Sequence, residues 1–144
     1  MAYCTLADVK SAVGGSERLK QLSDYDKTNA IDVSVVESKI AEADAMINTK
    51  AQMRWEVDFS EVPPSIRFCS ARLAAYYLRL ARGALTKDDH DAYDRDILFL
   101  KELAEGNAQP GTSPLPEKSE VVRDSYTDRP TDLEVSRERM KGFA

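Results

Sequence analysis

Residues 87–96, KDDHDAYDRD, gather Asp88, Asp89, Asp91, Asp94 and Asp96 around His90, the only histidine of the chain. Carboxylates beside an imidazole are the ligand types of a divalent metal site. A calcium loop, however, needs its acids at alternate positions of a loop turned by glycine and closed by glutamate, and no such glycine stands here. Thr86 followed by Asp89 reads instead as a capped helix start, where acids complement the positive end of the helix dipole. The run is therefore expected to be a cap and a solvated face. Nucleophilic chemistry has as little support. Cys4 and Cys69 have no second cysteine or histidine at ligand spacing, no G-x-S-x-G elbow occurs, and His90 has no triad around it. Cys69 falls in an apolar helical pattern and reads as a small buried hydrophobe, while Cys4 receives no assignment. Gly14 and Gly15 are adjacent and lack the lysine of a phosphate loop, so they read as a helix stop. Asp24 and Asp26 read as parts of an Asp-rich turn. No enzyme, metal or cofactor is expected.

One row of side chains has a better claim to function. At about 100° per residue, Arg67, Arg72, Arg79 and Arg82 fall within roughly 140° of one another on a helix. Arginine forks grip carboxylates bidentately, so this face is a candidate partner interface. Its ordinary reading is a solvated face that pairs with acids of the second and fourth helices, each pair worth little. Trp55 and Phe59 read as core residues rather than as anchors for a partner.

The elements that must position these residues are helical. Thr5 and Asp8 cap a short first helix carrying Leu6, Val9 and Val13, which Gly14 and Gly15 end. Ser16 restarts a turn through Leu19 and Leu22, and LSDYDKTNA is a surface connection. Asp32 caps a second helix over 33–53, with Val36, Ile40, Ala43 and Ile47 inward and Glu37, Glu42 and Asp44 largely outward. The alternation of Trp55, Val57 and Phe59 predicts a short extended piece, which Pro63 and Pro64 stop. A third helix then runs to Arg82, with Ile66, Cys69, Leu73, Tyr76, Tyr77 and Leu80 on its apolar side and Gly83 beyond its end. A fourth follows Thr86, with Tyr93, Ile97, Leu100 and Ala104 inward, and stops at Gly106 and Asn107. The expected fold is all-α, a small bundle of about four helices with a short extended segment and a long extended C-terminal tail.

The 144 residues, 42% of them hydrophobic, suffice for one core, so residues 1–106 are expected to form the helical domain. A formal charge of -5 argues against a protein that wraps DNA. No apolar run approaches the roughly 20 residues that cross a bilayer, and a soluble protein made in a cytoplasm is expected. Residues 107–120, rich in proline, serine and glycine, read as a linker, and 121–144 as an interaction tail. Its scattered apolar residues cannot build a core alone, so the tail is expected to be either disordered or bound to a partner.

The order of these features resembles the Mu-like phage neck family of head-to-tail connector, or adaptor, proteins. Tyr3, Thr5 and Asp8 are similar to that family's opening, and Leu22 and Asp24 to the turn after its first helix. Ile31, Val36, Ile40, Ala43, Asp44 and Ile47 resemble its second helix. Val62, Pro63, Pro64, Ile66 and Arg67, followed by Ala74 and Leu78, resemble its proline-started third helix. Arg137, Met140, Gly142 and Phe143 resemble its closing segment. The resemblance implies a structural virion protein of the neck, made in the host cytoplasm and assembled as a ring expected to be twelve-fold. Its implied partners are the portal, a tail or tail-completion protein, and DNA passing through the channel without sequence-specific binding; no membrane is implied. Within that role Leu133, Val135, Met140 and Phe143 are expected to bury in grooves of adjacent proteins. Arg129, Arg137 and Arg139 would pair with carboxylates there, and the row Arg67, Arg72, Arg79 and Arg82 would meet a neighbour. The rival reading is a small helical DNA-binding regulator with the third helix as its reading element.

Overall fold

The structure, a computed structural model, describes residues 1–55, 57, 59 and 61–110. Among them the chain forms α1 (Leu6–Val13), α2 (Ser16–Ser23), α3 (Val33–Ala51), α4 (Pro64–Arg82) and α5 (Lys87–Glu105), with no strand. The all-α expectation holds. Four of the five starts have a local cause. Thr5 with Asp8 and Thr86 with Asp89 form reciprocal capping boxes, and the Asp32 carboxylate accepts from the Ser34 and Val35 amides. Pro64 opens α4, where its missing N–H leaves no orphan donor. Gly14, Gly83 and Gly106 close α1, α4 and α5 in the left-handed conformation. The turn expected at Ser16 is a two-turn helix, α2, so the described residues hold five helices rather than four. Gly15 makes the junction with φ of 128°, letting α2 start with only two residues between it and α1. The helix expected to reach Met53 ends at Ala51.

The broadest contact in the bundle is α3 against α4, with α1 packed on α4 and α5 laid across both long helices. Val9, Val13, Leu19, Val36, Ile47, Ile66, Leu73, Leu78, Leu100 and Leu103 are fully excluded from solvent at its centre. Trp55, Val57 and Phe59 all pack on this core, as expected of Trp55 and Phe59, and the Trp55 indole N–H donates to the Leu103 carbonyl at 2.8 Å.

Three positions depart from the expected faces. Leu80 lies at the last turn of α4, past the reach of the core, and is 53% exposed. Asp44 and Asp96, placed outside the core by their charge, are buried, because each finds donors inside the fold. Asp44 accepts from the Tyr3 amide at 3.0 Å and the Ser70 hydroxyl at 2.6 Å. Asp96 accepts from Arg72.

Candidate functional site

The arginine row is the feature that sequence reasoning singled out, and α4 presents it intact. Proline at its start and glycine at its end bound a run of nineteen helical residues, which keeps the four arginines within about 140° of one another. Every guanidinium in it is engaged within the fold. Arg67 grips Asp8 of α1 with two parallel bonds, Nε to Oδ2 at 2.9 Å and Nη2 to Oδ1 at 2.8 Å. Arg72 holds both oxygens of Asp96 on α5, at 2.9, 3.0 and 2.6 Å. Arg79 donates to Asp89 of α5 at 2.9 Å. Arg82 donates to the carbonyls of Leu22 and Asp24 and stands 4.2 Å over the Tyr25 ring. The row therefore clamps α1, the loop after α2, and α5 onto α4. The acids come from the first and last helices, not from α3 as well.

These bonds tune the acids they hold. Asp8 is lowered to about 2 chiefly by the Arg67 guanidinium, against a smaller upward push from burial and with further help from the Thr5 amide and hydroxyl. The Asp96 bond likewise raises Arg72 further, although burial works against it. A fork on a carboxylate is a stronger device than a pair of solvated charges.

Among the large apolar side chains left exposed, which include Leu80 and Leu98, Phe68 lies between two of these clamps. Phe68 is 56% exposed between Arg67 and Arg72, whose side chains are themselves about half exposed, at 49% and 50%. It borders a shallow groove of about 170 Å³ with Asp8, Ser11, Ala12, Ala71 and Arg72. An exposed phenylalanine rimmed by arginine forks has the composition of a protein-binding patch. Sequence reasoning passed over Phe68, yet a signal existed: four residues before Arg72, it sits about 40° from it on the helix wheel, on the polar side.

The acidic run carries no ligand geometry. Asp88, Asp91 and Asp94 are exposed along α5, Asp89 is spent on its cap and on Arg79, and His90 stands 3.3 Å from the Tyr76 hydroxyl. Tyr76 in turn stacks on Tyr93 with ring centres 4.2 Å apart. Among the described residues no three His, Cys, Asp or Glu side chains stand together as a metal site. Both cysteines are buried and unpaired. Burial pushes the Cys69 thiol up to about 12, the behaviour of a small core hydrophobe. Cys4, without an expected role, sits 3.3 Å from the Ser70 hydroxyl, and burial raises its thiol too.

A second surface lies along α3. The first four residues form a strap held by Asp44, by the Tyr3 hydroxyl donating to Asn48 and to the Val57 carbonyl, and by Tyr3 set edge-on to Phe59 at 5.3 Å. Between strap and helix runs a groove of about 530 Å³ lined by Leu6, Glu37, Ile40, Ala41, Ala45 and Asn48 among others. The expected contact residues Arg129, Leu133, Val135, Arg137, Arg139, Met140 and Phe143 lie outside the described residues.

No helix among the described residues is long and apolar enough to cross a membrane. A search of curated proteins gave no match to the chain. The family described as Bacteriophage Mu, Gp36 matches residues 3–126. That span takes in the whole helical body and stops short of the closing segment around Arg137 and Phe143, so the likeness noted there is not part of the match. It covers well over half of the chain, and the chain belongs to the bacteriophage Mu Gp36 family, which makes it a phage structural or assembly protein.

Proposed function

We propose that this protein is a head-to-tail connector, an adaptor that forms a ring between the portal and the tail and docks through protein surfaces rather than through DNA. The single observation that carries this reading is the family match across residues 3–126. The geometry supports it in two ways. A body whose helices are clamped by bidentate arginines is a rigid wall segment, and its Phe68 patch offers an apolar anchor with a polar rim. Beyond Pro110 the remaining 34 residues could span on the order of 110 Å at about 3.3 Å each, enough to cross a neighbour. In this reading Leu133, Val135, Met140 and Phe143 anchor the tail on neighbouring subunits or on the portal, and Arg129, Arg137 and Arg139 pair with their carboxylates. Affinity comes from many copies acting at once.

The rival regulator reading needs the arginines of α4 free for phosphates, and all four are occupied by carboxylates, carbonyls or a ring. Association measured by light scattering, with the cognate portal and separately with duplex DNA across a salt series, discriminates the two. The connector binds the portal with little salt dependence and does not bind DNA. Tight DNA binding that collapses steeply with salt would install the regulator in its place.

A further inference from the structure

The groove between the amino-terminal strap and α3 has no part in the clamps described above. Ile40, Ala41 and Ala45 give it an apolar floor, and at about 530 Å³ it is of the size that accepts small ligands or the anchor side chains of a peptide. Ala41 and Ala45 are exposed one turn apart and carry nothing beyond Cβ, so an incoming chain can lie close to the helix. The charged side chains lining it are Glu37 and Asp44, both acidic. Asp44 is committed to the Tyr3 amide and the Ser70 hydroxyl, whereas Glu37 is exposed at the edge.

We propose that this groove receives residues 137–143, Arg-Glu-Arg-Met-Lys-Gly-Phe, of a neighbouring copy. The inference rests on the connector reading and names the surface on which the closing segment acts. Three observations converge on that occupant. Its charge is complementary, with Arg137, Arg139 and Lys141 against the single Glu138, facing a groove whose charged side chains are carboxylates. Met140 and Phe143 supply two large apolar anchors for the alanine and isoleucine floor. The reach also fits. The Pro110 carbonyl accepts from the Ser65 hydroxyl in the first turn of α4. From there the 27 residues to Arg137 reach up to about 90 Å, well beyond the roughly 35 Å width of a domain of this size.

The test uses the full-length protein with the photoreactive benzoylphenylalanine in place of Phe143. Light and heavy isotope-labelled copies are mixed, irradiated with the cognate portal present, mapped by mass spectrometry and imaged in parallel. Expected are adducts joining position 143 of one copy to the stretch 37–48 of another. Glu37→Lys, an exposed change, should lower their yield by about fivefold, the size of one exposed ion pair. Groove adducts confined to single copies overturn the assignment to a neighbour. Rings with adducts on other surfaces overturn the groove while leaving the connector reading intact. Monomers without rings or groove adducts overturn both.

Discussion

Asp8 does two jobs at once, closing the cap of α1 on Thr5 and anchoring Arg67 of α4. Because its folded pKa, about 2, lies below the ordinary 3.8, its contribution is complete above about pH 4 and is lost as pH falls through about 2. Asp8→Asn should therefore lower stability by about 1 kcal/mol at neutral pH, after discounting for solvent screening, and by almost nothing at pH 2, read from urea unfolding at both values. Arg72→Ala strands a buried Asp96 and should cost about 2 kcal/mol, while Arg72→Met combined with Asp96→Leu should recover most of it. A purely additive double mutant would show that the pair does not couple. At this scale the sequence was partly legible. The four arginines could be placed on one face from spacing alone, and Thr5 and Thr86 as caps from their acids three residues on. The burial of Asp44 and Asp96 could not, because their donors Tyr3, Ser70 and Arg72 lie between 24 and 41 residues away, and a helix wheel shows only neighbours on the same helix.

The helices were legible because their ends are written in local chemistry, and the errors fall where local chemistry is weak. α2 begins at Gly15 without a side-chain cap and has only eight residues, so only its packing on α1, α3 and α4 makes it a helix rather than a turn. Gly106 shows an end doubly determined. Its φ is 80°, and a Cβ there would run into the Arg54 guanidinium that covers the end of α5. Gly106→Ala is accordingly expected to destabilise by roughly 1–2 kcal/mol, more than the strain alone, and to release the cover of Arg54. The same exchange at Gly83, where nothing lies within 4 Å, should cost only about 1 kcal/mol, so a pair of thermal melts separates crowding from strain. Equal losses at the two sites would show that the Arg54 contact has no energetic weight.

For the whole molecule, the clamps tie α1 and α5 to α4 and leave Phe68 facing outward, where a partner can grip the body. Phe68→Ala should change unfolding stability by less than about 1 kcal/mol, since the ring is more than half exposed, yet weaken association with the portal by about tenfold. A loss of stability instead, with association unchanged, would make Phe68 a core residue in disguise. The ring is what the connector account stands on, and no single subunit can display it. The most direct measurement is therefore negative-stain imaging of the full-length protein mixed with its cognate portal, beside a chain cut after Pro110 to keep the Ser65 contact. The account predicts a closed ring seated on the portal with the full chain, and loss of that ring with the shortened one. A full-length chain that stays monomeric and leaves the portal bare would contradict it.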